Sequence, residues 1–329
     1  MDLYQTLPKP FFVLAPMDDV TDTVFRQIVT DCAAPDLYFT EFVNVDGLQS
    51  PGRPRLLKKL QFTTQEQPLI AQIWGKSPEN FYKTAEQLAD GTFARELGLP
   101  EGTNFAGVDI NMGCPDKTVV KNGTCVALIN DRLLAEDIIN ATKDGLKGRL
   151  PLSVKTRTGF NQVDMSWISF LLQRRLQALT IHGRTRKEMS KVPANWDLIT
   201  SARRLRDSGG YDTMIIGNGD VMNHQHGLEL AKRYKLDGIM IGRGVFHDPF
   251  ALAEHSPWAD YTPKQRIELY KRHVELFAKT WQHRERPIQT LNKFCKIYIN
   301  GFDGAKELRE EMMRAGSCEE LLTIIADNV

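Results

Sequence analysis

With 329 residues, 42% of them hydrophobic and 25% charged, the chain is long enough for one large α/β domain and a smaller companion. Lysine and arginine number 42 against 41 acidic residues; the net charge of +1 excludes a molecule-wide field drawing it to nucleic acid, so any basic surface has to be local. No apolar run approaches the ~20 residues of a membrane span, and the opening MDLYQTLPKPFF lacks the layout of a secretory leader, so a cytoplasmic protein is expected.

Short apolar, β-branched runs recur along the chain: FFVLAPM (11–17), LYFTEFV (37–43), PLIAQIW (68–74), FAGVDINMG (105–113), PLSVKTR (151–157), ALTIHGR (178–184), TMIIGNG (213–219) and GIMIGRG (238–244). Most are followed by a helical pattern. Thr21 and Asp22 are cap residues ahead of VFRQIV, Pro78 after Ser77 opens ENFYKTAEQLA, and LLAEDIINATKDGL (133–146) spaces its apolar residues at helical period. Near-continuously apolar strands alternating with helices predict a parallel sheet, and eight such units predict an α/β fold of the (β/α)8 TIM-barrel class. A doubly wound open sheet is the alternative, but no GxGxxG follows the first strand, which ends in Ala15-Pro16-Met17. After Trp258 strand signals stop, and three or four helices are expected. The division predicted is a barrel over 1–257 and a smaller all-helical domain over 258–329.

Polar residues gather at the C-terminal ends of the strands: Gln72, Asp109, Asn111, Lys155, Arg157, His182, Arg184, Asn218, Asp220 and Arg243. In a barrel these ends converge on the face where chemistry sits. The last two strands end in Gly217-Asn218-Gly219-Asp220 and Gly242-Arg243-Gly244. Glycines let backbone N–H groups approach an anion, these two loops are the usual barrel phosphate site, and Arg243 adds a charge-assisted bond. Lys155 supports two chemistries: a desolvated amine that forms a Schiff base, or an ammonium that stabilises the reduced form of an electron-rich cofactor. His182 sits at a strand end directly before Gly183-Arg184, a setting that favours a site over a core histidine. Five cysteines, Cys32, Cys114, Cys125, Cys295 and Cys318, are scattered, with no CxxC pair and no HExxH, which argues against a disulfide framework and against a metal site. Cys114 stands apart from the rest, on the lip of a strand in DINMGCPDKTVVKNG (109–123).

Taken in order, these motifs resemble the tRNA-dihydrouridine synthase family. LAPMDDVTDTVFR is similar to its opening strand and helix, AQIWG to its third strand and DINMGCPDKTVVKNG to its signature loop; VKTRTGF, TIHGRTR, IIGNGDV and IMIGRGVF follow in the family's order. The resemblance implies flavin mononucleotide (FMN) at the barrel mouth. Pro16, Met17 and Asp18 would line the isoalloxazine, Gln72 its polar edge, and Lys155 its N1–C2 region. His182 would touch the flavin or the substrate base, while Asn218, Gly219, Asp220, Gly242 and Arg243 would hold the ribityl chain and phosphate. It further implies that NADPH reduces the flavin, that a hydride passes from flavin N5 to C6 of a tRNA uridine, and that Cys114 protonates C5. Asn111 and Arg157, assisted by Lys155, would hydrogen-bond the uracil. A thiol of ordinary pKa, ~8.5, is protonated at neutral pH and can donate. One departure is KNGTCVALI, where Cys125 replaces the small residues of the family pattern; it is the alternative acid, or a buried small hydrophobe.

Between 261 and 300, nine basic residues stand against three glutamates, among them Lys271, Arg272, Lys279, Arg284, Arg286, Lys293 and Lys296. Such a surplus is an electrostatic footprint for a phosphate backbone, and the resemblance implies that these helices grip tRNA. Tyr270, Trp281 and Tyr298 could stack on bases, although their helical spacing favours the core. The uridine must leave its stack to reach the flavin. The expectation is a monomeric, metal-free FMN enzyme that makes dihydrouridine in tRNA. Three rivals stand beside it: a flavin barrel reducing a free pyrimidine or an enone, a Schiff-base barrel using Lys155, and a non-catalytic RNA-binding protein on the same fold.

Overall fold

Strand β1 (Phe11–Leu14) pairs in parallel with the last strand, β9 (Gly238–Ile241), Phe11 lying opposite Gly238. The computed structural model, which describes residues 3–282 and 285–328, therefore curls its sheet back on itself. Between these two run β2 (Tyr38–Phe39), β3 (Val43–Asn44), β4 (Leu69–Trp74), β5 (Gly107–Met112), β6 (Leu152–Arg157), β7 (Ala178–His182) and β8 (Met214–Asn218), in the order β1-β9-β8-β7-β6-β5-β4-β2. All pairings are parallel. The seam between β1 and β2 is held by the bridge Val13–Leu37, where the Leu14 N–H donates to the Leu37 carbonyl at 3.2 Å. This is a TIM-type barrel followed by C-terminal helices; an open doubly wound sheet is excluded by the β1–β9 pairing.

The single strand expected over 37–43 is broken in two. Thr40 explains the break: its hydroxyl, instead of a backbone carbonyl, takes the Gln72 N–H at 3.0 Å, and the chain bulges through Glu41 before β3 rejoins β4 at Ile73 and Trp74.

Side-chain alternation along the strands separates two apolar layers. Phe11, Val13, Ile70, Ala178, Met214, Ile216 and Met240 point inward and fill the barrel with Tyr4 from the first helical turn. Phe12, Leu14, Ala71, Ile73, Val108, Ile110 and Val154 point outward against the helices. Those helices are α1 (Thr23–Ala33), α2 (Pro78–Ala89), α3 (Arg132–Leu146), α4 (Met165–Gln173), α5 (Trp196–Ser208) and α6 (His224–Tyr234). Asp22 caps α1 by accepting from the Phe25 N–H at 2.9 Å, while Ser77 caps α2 with Pro78 in its first turn. Thr21 serves elsewhere, its hydroxyl accepting from the Met17 N–H at 2.9 Å and so fixing the end of the β1 loop.

After β9 the described residues form no further strand; they form α7 (Pro263–Thr280), α8 (Asn292–Tyr298), α9 (Ala305–Met312) and α10 (Cys318–Ala326). Thr262 and Gln265 make a reciprocal capping box at the start of α7. These helices dock on the β1–β2 side of the barrel. Phe294 stacks on Phe25 at 5.0 Å, and the Trp281 indole donates to Asp22 at 3.2 Å. Tyr270, Trp281 and Tyr298 are buried, as helical spacing favoured. No helix among the described residues is long and apolar enough to cross a membrane.

Candidate active site

The strand ends surround a cavity of about 460 Å³ at the C-terminal mouth of the barrel. Its walls are Ala15, Pro16 and Met17 after β1, Lys155 on β6, His182 on β7, Asn218, Gly219, Asp220, Val221 and Met222 after β8, and Gly242, Arg243, Gly244 and His247 after β9. Nine residues expected from the sequence at the cofactor thus meet in one cavity: Pro16, Met17, Lys155, His182, Asn218, Gly219, Asp220, Gly242 and Arg243. Asp18 is not among the walls. Its carboxylate, half exposed, pairs with Lys59.

One end of the cavity carries the two glycine loops and Arg243. Gly219 has φ of +122°, and a Cβ there would lie 2.7 Å from the Ala194 Cβ and 3.0 Å from the His182 Cδ2, so only glycine fits. At Gly242 a Cβ would meet nothing closer than 3.5 Å, so packing does not demand the glycine, and its absent side chain leaves the backbone open to the cavity. Asp220 pairs with both Arg184 and Arg243, the latter at 3.0 Å, and accepts from the Ala194 N–H at 3.0 Å. These partners hold its carboxyl below the usual range against the opposing effect of burial. The Asp220 side chain therefore orients two guanidinium groups at this end.

Lys155 faces the other end, and its Nζ has no hydrogen-bond partner among the described residues. Burial first, then the Arg157 guanidinium, pulls its pKa down to about 8, with Asp109 opposing. His182 accepts at Nε2 from Arg184 Nη1 at 3.1 Å. Burial and the surrounding cations Arg157, Lys155, Arg184 and Arg243 push its pKa well below the ordinary value, so it is a neutral imidazole with its proton on Nδ1.

Gln72 and Asn111 are buried and are not among the cavity walls. Gln72 is fully buried; its Nε2 donates to Asp109 at 2.7 Å and its Oε1 accepts from Asn111 Nδ2 at 3.1 Å. Asn111 Oδ1 accepts from the Gly113 and Cys114 N–H groups at 3.1 and 2.9 Å, which clasps the signature loop at its start. Arg157 clasps it from the other side: Nε donates to the Gly113 carbonyl at 2.9 Å, and Nη1 donates to Thr185 and Met189 at 3.2 and 3.1 Å. Its Nη2 has no partner among the described residues. Cys114 sits half-buried between these clasps, and burial raises its pKa. Cys125 is fully buried, with φ of +53°, and burial pushes its thiol well above the ordinary value.

The basic stretch divides. Arg286 is not surface-exposed: its guanidinium is bound by Glu41, Asp22 at 3.4 Å and Asp19 at 3.6 Å. It joins the C-terminal helices to the barrel and is withdrawn from the RNA-facing set. The Asp18, Asp19 and Glu41 carboxylates come close together, with Lys59 and Arg286 set against their charge. Arg272 is exposed yet pairs with Asp31 at 2.7 Å, Lys271 lies 3.7 Å from Glu268, and Lys293 donates to the Asp19 carbonyl at 2.7 Å. Lys279 and Lys296 are exposed without an ion-pair partner among the described residues. Arg284 lies outside the described residues.

Sequence reasoning missed Val221, Met222 and His247 as cavity walls and gave no role to Asp109 or Arg184. The last two stood among the strand-end polar residues, which was signal enough to include them. His247 had none: the 3-10 turn Arg243–Phe246 brings it back to the mouth.

The family model described as "Dihydrouridine synthase (Dus)" matches residues 13–327. A Bacillus subtilis (strain 168) protein named "Probable tRNA-dihydrouridine synthase 2" is 43% identical over 329 residues, covering 99% of this chain and 96% of that one. A Staphylococcus aureus (strain COL) protein named "Probable tRNA-dihydrouridine synthase" is 42% identical over 327 residues, with 98% and 94% covered. Among solved structures, a 2-naphthoyl-CoA reductase in complex with 2-naphthoyl-CoA superposes with a TM-score of 0.52 at 11% identity, covering 76% of this chain and 50% of that one, a likeness of fold alone.

Proposed function

The chain belongs to the dihydrouridine synthase family, and from that premise we propose that it reduces a uridine of tRNA to 5,6-dihydrouridine with FMN as cofactor and NADPH as reductant. The observation that carries this reading is the mouth cavity, which brings the glycines Gly219 and Gly242 and the Arg243 side chain together with Met17 and with a lysine, Lys155, that has no hydrogen-bond partner among the described residues. Its volume of about 460 Å³ lies in the roughly 300–1,000 Å³ range of small-molecule sites. The residues present therefore fit FMN: backbone N–H groups and Arg243 for the phosphate, Asn218 and His182 along the middle, Pro16, Met17 and Lys155 at the ring.

When bound, FMN would supply the hydride for uracil C6, with NADPH as the reductant that restores it. The other steps belong to the chain. Cys114 keeps its proton at neutral pH because burial raises its pKa, and it delivers that proton to C5. Asn111 and Arg157 hold the Cys114 loop on both flanks; Arg157 Nη2 and the second Nδ2 proton of Asn111 remain for the uracil carbonyls. Lys155 provides positive charge where the reduced ring accumulates electrons. A neutral His182 donates through Nδ1 without adding a second cation. Residues 258–329 act as the tRNA-gripping domain, with Lys271, Arg272, Lys279, Lys293 and Lys296 on the phosphate backbone.

The test is a visible spectrum of the purified protein before and after anaerobic NADPH, followed by addition of unmodified tRNA. A flavin spectrum that bleaches with NADPH and returns with tRNA is expected. Return with free uracil or an enone would favour the small-molecule reductase, and a protein that never takes up FMN would overturn the reading.

A further inference from the structure

Two hydrogen-bonded chains converge on Asp109. One starts in the signature loop: the Cys114 N–H donates to Asn111 Oδ1 at 2.9 Å, Asn111 Nδ2 donates to Gln72 Oε1 at 3.1 Å, and Gln72 Nε2 donates to Asp109 Oδ2 at 2.7 Å. The other starts at the barrel floor: the Tyr4 hydroxyl donates to Ser153 Oγ at 2.9 Å, and Ser153 donates to Asp109 Oδ1 at 2.6 Å. A backbone N–H can only donate, so the Asn111 oxygen must face the loop. Each amide behind it is then fixed in turn, so that the Asp109 Oδ2 must accept, and the Ser153 hydroxyl donates to the other oxygen.

Asp109 is fully buried, and the register sets Lys155 beside it: Ser153 lies opposite Asp109 and Lys155 opposite Asn111, all on the inward face. The titratable groups facing Lys155 are Asp109 and Cys114 from β5 and its loop, Arg157 from its own strand, and His182 from β7. With Cys114 protonated and His182 neutral, Asp109 is the acidic group of this set that can carry the opposing charge.

We propose that Asp109 is a positioning residue of the site: it is the counter-charge that keeps Lys155 an ammonium in a dry barrel, and the terminus that orients Gln72, Asn111 and the Cys114 loop. Burial moves both groups toward neutrality, Lys155 down to about 8 and Asp109 up to about 7, and each charge resists that shift in the other. The Asp109–Lys155 coupling is a property of the chain alone; its use beside FMN rests on the function proposed above.

The test is carried out on the cofactor-free protein labelled with ¹³C at the lysine ε carbon. The Lys155 resonance is identified by its loss in Lys155→Met and titrated with pH. In Asp109→Asn the Lys155 midpoint should fall by about one unit or more, a tenfold loss of proton affinity. Ser153→Ala, which strips one donor from the carboxylate, should move it the same way by less, and serves if Asp109→Asn does not fold. A midpoint unchanged in natively folded variants would overturn the proposal. The FMN dissociation constants of the same proteins, read by fluorescence quenching, should weaken for Asp109→Asn at a lower pH than for the parent. A parent protein that binds no FMN while the lysine midpoint still shifts would sink the proposed function and leave the coupling standing.

Discussion

Replacing Arg286 with alanine probes the joint between the barrel and the C-terminal helices. Arg286 is 5% exposed, and its guanidinium faces Glu41, Asp22 and Asp19, with Glu41 itself fully buried. Removing one member of a buried ionic group typically costs roughly 3–5 kcal/mol, because the partner is left charged and dry. Here Glu41 would retain Lys59 at 3.9 Å and the Asp19 N–H at 2.7 Å, which places the loss at the lower end, about 3 kcal/mol. For a chain of this size that is a fall in Tm of roughly 4 °C. The loss should depend on pH. Burial already raises the Glu41 pKa, with Arg286 the strongest opposing influence, so the variant raises it further. A carboxyl whose folded pKa lies above its unfolded one costs stability at high pH, and the cost vanishes as pH falls below the unfolded value. The deficit of Arg286→Ala should therefore be largest near pH 8 and shrink toward pH 5. Arg286→Lys should recover part of it, since a lysine carries the charge without the fork that reaches three carboxylates. Thermal unfolding at the two pH values is the assay. A variant that melts with the parent at high pH, or whose deficit is the same at both, would refute the argument.

Cys114→Ala should retain FMN and tRNA binding while dihydrouridine formation drops roughly 10²–10⁴-fold, the usual worth of a general acid; undiminished turnover would move that role to another group, Cys125 first. Gly219→Ala should fold with a loss of about 1–3 kcal/mol from its positive φ and bind FMN at least tenfold more weakly, since its Cβ would press on Ala194 and His182; fluorescence titration with FMN decides, and unchanged affinity would separate this loop from the phosphate. Lys271→Glu combined with Arg272→Glu should weaken tRNA binding and flatten its salt dependence by about one or two phosphate contacts, with NADPH oxidation intact; filter binding at several salt concentrations tests it, and an unaltered slope would mean that face is merely solvated.

The barrel was readable in the sequence because buried parallel strands are apolar almost without interruption, and seven of the eight runs fold as strands where their hydrophobicity places them. The break in the second strand was not readable. It rests on the Thr40 hydroxyl taking the Gln72 N–H, and the Glu41 carboxylate that follows pairs with Arg286, 245 residues away; no local pattern records such pairings. The same distance explains why Arg286 passed for a surface cation: composition gives the sign of a charge but not what lies opposite it. The cavity walls were largely readable because the position of a residue at a strand end already names its face. Depth inside the barrel was not, which is why Gln72, expected on the polar edge of the flavin, is found fully buried and bound to Asp109 and Asn111. The left-handed backbone at Cys125, with φ of +53°, likewise has no counterpart in its residue type.

The seam between β1 and β2 has a consequence for how such a protein can change over evolutionary time. Every other wall of the barrel is stitched by a ladder, whereas this one is closed by a single bridge at Val13 and Leu37, and it is there that Arg286, Trp281 and Lys293 come down from the C-terminal helices. The helices that follow the barrel are thus part of its closure and cannot be treated as a detachable attachment. Exchange of this C-terminal region between relatives should succeed only where Asp22, Glu41 and their partners travel together, so the inheritance of the C-terminal helices is tied to the first forty or so residues of the barrel.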